Sequence, residues 1–293
     1  MKIKTMEFQL CIRKHNNAFL YENKELISDF VFIKNPKFHW LADPFIINIK
    51  NKHYLFVEAA TKISWKGKLI YTEINPNNIN KCKWKKCLKK DFHLSFPNVF
   101  IKDNELYMLP ETSGDNSLAV YKCANNDFSS WKKEQTLIEG KTLVDTVFFN
   151  DYFVSYNISQ NSFSLELYSK SSKELLDSIV DEGLTLRPAG KIFYTKHNDY
   201  VFVSQDCTFE YGCGLIFNKF STENNKMIIR KDFEIDYKNL NKAFKRNNIV
   251  GIHTYNFDDT YEVIDIRKEH FGFLGLLKKV SDKLKNIFKK GKH

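Results

Sequence analysis

The chain has 293 residues, of which 43% are hydrophobic and 15% aromatic, and a formal net charge of +10 at pH 7. This length and this aromatic content exclude a disordered chain, and no apolar run approaches the roughly 20 residues of a membrane-spanning helix. Because a charge of this sign is typical of nucleic-acid-binding proteins, its position along the chain matters.

The N-terminal segment, residues 1–38, precedes the repeat described below and is expected to supply a strand that closes the fold. It lacks the continuous apolar core of a signal peptide. No two of the six cysteines have the two-residue gap of a zinc or redox motif. We therefore expect a cytoplasmic protein with reduced thiols.

A repeated pattern occupies most of the chain: a short apolar strand, a turn rich in Asn, Asp and Lys, and an aromatic second strand. The copies span Ala42–Ala60, Phe96–Ser113, Val144–Ile158, Arg187–Cys207 and Ile252–Ile266. A third strand follows most copies, and Trp84 and Trp131 mark outer strands after the first two. This pattern predicts an all-β fold, a five-bladed β-propeller over residues 1–268, with an irregular β-sandwich as the alternative.

The positive charge is concentrated in two segments. Residues 81–90 hold six lysines and no acidic residue, and residues 278–293 hold seven lysines and one aspartate. The rest of the chain is slightly acidic. A fold that binds nucleic acid usually spreads its basic residues over one face, so no nucleic-acid partner is expected.

The last segment, residues 269–293, is predicted to form a basic amphipathic helix, because its apolar residues recur at steps of three and four. Such a helix fits the surface of an anionic membrane. The alternative is a terminal helix that docks on the body of the protein. The predicted membrane contacts are Phe273, Leu277, Lys278, Lys279, Leu284, Lys285 and Phe288.

The propeller prediction places polar residues of matching repeat positions at one mouth of the central channel. First strands begin there and second strands end there. The starts contribute Asp43, Asn98, Asp145, Arg187 and His253, and the ends contribute Glu58, Glu111, Gln205 and Asp206. Paired carboxylates with an Arg and a His suit sugar chemistry, and Trp40 and Tyr211 are candidates to stack on sugar rings. Each residue also has a structural alternative, such as the shaping of a turn by Asp43 before Pro44.

The ordered motifs LADPF, FVEA, LSFPNVF, YMLPETS, VDTVFF, RPAG and SQDCTFEYG carry a resemblance. They resemble the N-terminal propeller domain of glucosamine inositolphosphorylceramide transferases and its bacterial relatives, which is similar to the five-bladed propellers of family 43 and family 32 glycoside hydrolases. The resemblance implies that Asp43 is a base or nucleophile, that Asp145 orients or tunes the site, and that Glu111, with Glu58 behind it, is the acid. The Arg-Asp-Pro motif of the hydrolases is absent, because Val144 precedes Asp145 and Thr146 follows it.

These observations predict a glycosyltransferase of cell-surface polysaccharide, capsule or glycolipid assembly. It would move a sugar from a sugar nucleotide or sugar phosphate to a glycan or lipid-linked acceptor, peripherally on the cytoplasmic face of the membrane. Asp43 would deprotonate the acceptor and Arg187 would steady the donor phosphate. No metal site and no cofactor besides the donor are expected. The alternatives are a glycoside hydrolase and a non-catalytic glycan-binding propeller.

Overall fold

The computed structural model describes residues 4–16, 18–61, 66–158 and 162–271. In chain order the strands are β1 (Lys4–Lys14), β2 (Val31–Phe32), β3 (His39–Ile49), β4 (Lys52–Thr61), β5 (Gly67–Glu73), β6 (Lys85–Lys86), β7 (Ser95–Lys102), β8 (Glu105–Glu111), β9 (Ser117–Cys123), β10 (Trp131–Glu139), β11 (Leu143–Phe149), β12 (Tyr152–Ile158), β13 (Phe163–Ser169), β14 (Leu175–Val180), β15 (Arg187–Pro188), β16 (Phe193–Tyr194), β17 (Tyr200–Asp206), β18 (Gly214–Glu223), β19 (Lys226–Asp236), β20 (Ile249–Phe257) and β21 (Tyr261–Phe271). Helix α1 (Tyr237–Ala243) precedes β20, and two short 3-10 helices span Lys24–Asp29 and Ser113–Asp115.

The strands form five antiparallel sheets, which are the five blades of a β-propeller. From the channel outward, blade 1 is β3-β4-β5-β6, blade 2 is β7-β8-β9-β10, and blade 3 is β11-β12-β13-β14. Blade 4 is β15-β17-β18-β19, with β16 also paired to β17, and blade 5 is β20-β21-β1-β2. The all-β class and the five-bladed propeller predicted from the repeat are confirmed.

Blade 5 joins the two ends of the described chain. Strand β1 pairs with β21 along its whole length, from Lys4 opposite Phe271 to Lys14 opposite Tyr261. The buried side chains of Arg13 and Glu262 form an ion pair within this sheet. The third strand of this blade therefore comes from the N-terminal segment, which ties the first blade of the ring to the last.

The last strand runs to Phe271, so residues 269–271 are strand in the structure. The rest of the predicted amphipathic helix, residues 272–293, lies outside the described residues, together with every predicted membrane contact in it. Among the described residues, no helix is long and apolar enough to cross a bilayer. All six cysteines are free thiols.

The basic segment at residues 81–90 lies along the outer part of blade 1. The Lys85 ammonium lies 5.8 Å from the ring centroid of Tyr71, and that of Lys90 lies 5.2 Å from the ring of Tyr121. Lysines placed in this way cover aromatic faces with their stems while their charge stays in water.

The inner strands share a bulge that determines where the site lies. The same one-residue register shift falls between Ala42 and Phe45, Ser95 and Asn98, Val144 and Val147, and Ile252 and Tyr255. The first bulged residue has a positive φ in three of these blades, at Asp43 (50°), Phe96 (45°) and Asp145 (50°). Because a bulge re-aims the groups of a strand, the repeat brings the carboxylates of Asp43 and Asp145 and the backbone N–H of Phe96 to one level of the ring, while the Phe96 ring packs in the core.

Candidate active site

Asp43 is the buried carboxylate at the bulge of blade 1, with only 6% of its surface exposed. Its Oδ2 accepts a hydrogen bond from the Phe96 backbone N–H (3.0 Å), and its Oδ1 accepts one from the Thr254 hydroxyl (2.9 Å). Burial raises the pKa of Asp43 to about 6, against the opposing charge of His253 and assisted by the charge of Asp145. A carboxylate with a pKa just below neutrality is ionised at pH 7 and is still basic enough to accept a proton.

Asp265, on β21, organises the blade 5 side of this site. Its carboxylate accepts backbone N–H bonds from Asp43 (2.9 Å), His253 (3.2 Å) and Thr254 (2.9 Å). It also accepts a bond from the His253 ring at Nδ1 (2.7 Å). A side chain that fixes two bulges at once holds the first and last blades in a single geometry.

The imidazole of His253 lies between two carboxylates. The carboxylate of Asp265 accepts three backbone N–H bonds and is the acceptor for the ring as well, so Nδ1 carries the proton. Nε2 faces Asp43 Oδ1 at 3.5 Å. Burial lowers the pKa of His253, but the charge and hydrogen bond of Asp265 and the charge of Asp43 outweigh burial and raise it. The ring of Phe8 stacks on the imidazole at 4.6 Å. His253 and Asp43 can therefore share one proton at neutral pH.

The mouth of the central channel, which we call the funnel, is lined by Asp43, Glu58, Glu111, Asp145, Arg187 and His253. Arg187 and Asp145 lie across it from Asp43 and His253. The guanidinium Nε of Arg187 lies 2.5 Å from Asp145 Oδ2, and Nη2 lies 3.9 Å from Glu111 Oε2. Gln205 Nε2 donates to the same Asp145 oxygen at 3.3 Å. Burial raises the pKa of Asp145 to about 6, although Arg187 opposes this. The partly exposed Tyr211 places its ring 5.1 Å from the guanidinium, so Arg187 is held from two sides with one edge toward the funnel.

Glu58 is the most strongly perturbed carboxyl of the funnel. It is 5% exposed, and burial, together with the charges of Asp43 and Glu111, raises its pKa well above the usual range for glutamate. His93 Nε2 lies 3.6 Å from Glu58 Oε1. A Cβ on Gly67 would lie 2.4 Å from that oxygen, so only glycine fits there. Glu58 therefore keeps its proton to higher pH than an ordinary glutamate does, which suits a general acid.

We expect Glu58→Gln to change how stability depends on pH. The pKa of Glu58 is higher in the folded chain than in the unfolded one, so wild-type stability is lost as pH rises through the folded pKa. Glutamine mimics the protonated side chain and does not titrate. The variant should match wild type near pH 4 and become relatively more stable at higher pH, by up to about 1.4 kcal/mol per pH unit in the titration window.

Chemical denaturation at a series of pH values measures this difference. Glu134→Gln, which removes an exposed carboxyl from the outer strand β10, is the matched control and should follow wild type throughout. A constant offset of Glu58→Gln from wild type across the series would contradict the raised pKa.

Of the four remaining predicted site residues, three take no part in this cluster of titratable side chains. Trp40 is 4% exposed and packs its ring 5.3 Å from that of Phe8, so neither face of Trp40 is open for a sugar. Asp206 accepts the Thr208 N–H of its own loop (3.0 Å). Asn98 donates to the Thr146 carbonyl of the next blade (3.2 Å).

Tyr211, the fourth, stands at the rim of the funnel with 41% exposure and meets the His253 ring edge-on at 5.4 Å. Its loop comes this close because Gly212 has a φ of +59°, and a Cβ there would lie 2.6 Å from His253 Cβ. Tyr211 is therefore the aromatic residue that remains accessible to a sugar in the funnel.

Sequence reasoning missed Asp265, Thr254 and the Phe96 backbone N–H. Asp265 carries a detectable signal, since it is a single acidic residue within the apolar second strand VIDI of the fifth copy. Phe96 carries no such signal, because its contribution is a backbone group that only the bulge aims at Asp43.

The ligand-type atoms of Asp43, His253 and Asp265 all lie within 4.8 Å of one another. A cation there would compete with the N–H bonds to Asp265 and with its bond to the His253 ring. These three side chains are thus already engaged in hydrogen bonds with one another and with the backbone around Asp43. A second group of this kind joins His53, Asp258 and Asp259 at the other end of the blades, away from the funnel.

Three comparisons relate this geometry to known proteins. The family model described as glucosamine inositolphosphorylceramide transferase 1, N-terminal, matches residues 1–262. Glucosamine inositolphosphorylceramide transferase 1 of Arabidopsis thaliana is 25% identical over 240 residues, which are 75% of this chain and 30% of that protein. The chain thus spans less than a third of this curated relative.

Solved structures share the fold at low sequence identity. A thermostable family-43 glycoside hydrolase superposes with a TM-score of 0.54 at 14% identity, covering 82% of this chain and 93% of the hydrolase. A β-1,2-mannobiose phosphorylase from Listeria innocua gives a TM-score of 0.52 at 9% identity, covering 88% of this chain and 96% of the phosphorylase. At such identities the likeness concerns the propeller architecture alone.

Proposed function

Because the chain belongs to the family of glucosamine inositolphosphorylceramide transferase N-terminal domains, we propose that it transfers a sugar from an activated donor to a glycan or lipid-linked acceptor. The names of the family and of its relatives support a glycolipid acceptor. The proposed donor is a sugar nucleotide or sugar phosphate. The proposed setting is cell-surface polysaccharide, capsule or glycolipid assembly at the cytoplasmic face of a membrane.

The observation that carries the proposal is the placement of a base and an anion-binding group in one funnel. Asp43 has a pKa of about 6 and a carboxylate fixed by Phe96 and Thr254, which suits the deprotonation of an acceptor hydroxyl. Arg187 is held by Asp145 and is the side chain best suited to a donor phosphate. The imidazole of His253, whose Nε2 faces that carboxylate at 3.5 Å, favours its ionised form, which is the form that can accept a proton.

Glu58 is the proposed proton donor to the leaving group, because burial and the neighbouring carboxylates raise its pKa and favour the protonated form. Glu111 accepts a hydrogen bond from Ser113 (2.7 Å) and lies near Arg187, so it is assigned to positioning of that guanidinium and of substrate. This reverses the order that the resemblance implied for the two glutamates, and the reason is electrostatic.

A panel of sugar nucleotides and plain oligosaccharides in a thermal-shift assay tests the proposal. One sugar nucleotide at about 100 times its Kd should stabilise the protein by about 2.7 kcal/mol, or several degrees in Tm. Oligosaccharides without phosphate should shift Tm far less, because they leave Arg187 without an anionic partner. Equal shifts with both classes would favour hydrolysis or glycan binding.

A glycoside hydrolase is the second candidate, favoured by the combination of ionised Asp43 and protonated Glu58 in one site. Turnover separates the two activities, since a transferase requires the acceptor and a hydrolase releases sugar to water. A non-catalytic glycan-binding propeller predicts ligand shifts without turnover of any kind.

A further inference from the structure

Three exposed apolar side chains follow the rim of the funnel. Phe209, in the loop between β17 and β18, is 88% exposed, Phe38, directly before β3, is 62% exposed, and Met6, near the start of β1, is 39% exposed. They belong to blades 4, 1 and 5, which are consecutive around the ring. All three lie at the mouth where the bulges carry Asp43 and Asp145. Large apolar side chains grouped in this way on a water-facing rim indicate a contact surface.

Exposed basic side chains lie on this rim beside the apolar ones. Lys34 and Lys37 are exposed on the segment that leads to Phe38, and the Lys37 ammonium lies 5.1 Å from that ring. Lys245 and Arg246 are exposed on the segment that leads to β20.

The acidic neighbour of Phe209 does not cancel this charge, because Glu210 accepts a bond from Arg267 (2.8 Å). The rim therefore combines aromatic and basic side chains, which is the chemistry that binds to anionic lipid headgroups.

The course of the chain favours a membrane over other partners. Strand β21 ends at Phe271 on this same rim, opposite Lys4. Residues 272–293, which follow, contain seven lysines and one aspartate. A second basic, apolar-rich segment thus leaves the propeller at the mouth of the funnel and not at the opposite end, where β21 begins.

We propose that the rim formed by Met6, Phe38 and Phe209 binds the surface of an anionic lipid bilayer, with the two phenylalanines inserted among the headgroups. The funnel then faces the bilayer, and a lipid-linked sugar acceptor reaches Asp43 without leaving the membrane. The inference about the acceptor rests on the proposed transferase function, whereas the lipid contact does not.

Sedimentation with vesicles tests the contact in the full chain. Wild type should bind vesicles of phosphatidylcholine mixed with phosphatidylglycerol and bind pure phosphatidylcholine weakly. Phe38→Ser/Phe209→Ser should reduce the partition constant at least about tenfold, because each substitution removes the favourable transfer of a phenylalanine side chain from water to lipid. Tyr194→Ser, which changes a 56% exposed aromatic at the opposite mouth, is the matched control and should bind like wild type.

Depth of insertion is measured separately with Phe209→Trp and Tyr194→Trp in vesicles that contain brominated lipid. Added fluorescence at position 209 should be quenched and that at position 194 should not. Equal vesicle binding by wild type and the double serine variant overturns the proposal, as does a wild type that does not bind. If the double variant instead abolishes self-association in solution, the rim is an interface between two copies and the membrane contact is wrong.

These outcomes are independent of the proposed chemistry. If no donor is ever turned over but the rim binds vesicles, the transferase proposal fails and the lipid contact stands. If a soluble acceptor is glycosylated equally by wild type and Phe38→Ser/Phe209→Ser, while only wild type binds vesicles, both proposals are supported.

Discussion

Asp43→Asn is expected to lower kcat/KM for sugar transfer by about 10²–10⁴-fold, the range that a positioned general base contributes. Asparagine keeps the size of the side chain and can still accept one of the two bonds from Phe96 and Thr254, so the fold survives. It cannot take up the acceptor proton. Initial rates with the donor identified by thermal shift measure the loss.

The pH profile gives this prediction a second signature. Because the pKa of Asp43 is about 6, wild-type kcat/KM should fall as pH drops through that value, since the protonated carboxyl is no longer a base. The residual activity of Asp43→Asn should lack this limb. A structural role for Asp43 would lower the rate without removing the limb.

Asp206→Asn is the control for the loss of an aspartate at the same mouth. Its side chain bonds the Thr208 N–H of its own loop and takes no part in the cluster around His253. Its kcat/KM should stay within a few-fold of wild type. If Asp43→Asn and Glu58→Gln together leave both binding and turnover intact, the catalytic scheme is wrong.

The propeller architecture could be predicted from the sequence because each blade has its own local pattern of strands and turns. Strand–turn–strand signals such as VFIKDNELYML depend on neighbouring residues only, and the five copies are visible without any long-range contact. The same repeat predicted which mouth of the central channel holds the site, because the first strand of each blade starts at the mouth where the second strand ends. The family could also be predicted from the sequence, since its motifs lie at these starts and ends of strands.

The contacts within the site could not be predicted in the same way. The bond from the Asp43 N–H to Asp265 joins residues more than 200 positions apart, and it forms only when blade 5 meets blade 1. Trp40 read as an exposed stacking platform, yet the N-terminal strand places Phe8 against its ring. The raised pKa of Glu58 could not be predicted either, because it depends on burial and on carboxylates contributed by other blades.

The funnel brings several carboxyl groups so close together that they cannot all ionise readily. Their mutual repulsion, added to burial, raises the pKa values of Asp43, Asp145 and Glu58. Asp43 and Asp145 are both raised to about 6, and each has a cationic partner, His253 and Arg187 respectively. The pKa of Glu58 is raised by burial and by the charges of Asp43 and Glu111, which favours its protonated form. Removal of one cation should accordingly disturb both the stability of the fold and the binding of the donor.

Arg187→Met is the substitution that tests this with the largest expected effect on stability. It leaves Asp145 buried without its guanidinium partner, and breaking a buried ion pair on one side costs about 3–5 kcal/mol of unfolding free energy. It should also weaken sugar-nucleotide binding by about 10- to 100-fold, the value of a charge-assisted contact to phosphate. Chemical denaturation and donor titration measure the two effects.

The double variant Arg187→Met/Asp145→Asn separates the two roles of the guanidinium. It removes both charges, and Gln205 can still donate to the asparagine oxygen, so most of the lost stability should return. Donor binding should not return, because the phosphate partner is still missing. Recovery of both would mean that Arg187 acts only through Asp145, and full stability of the single variant would mean that the ion pair contributes nothing to the fold. The expected result, a stable propeller that no longer binds the donor, would assign the phosphate contact to Arg187 itself.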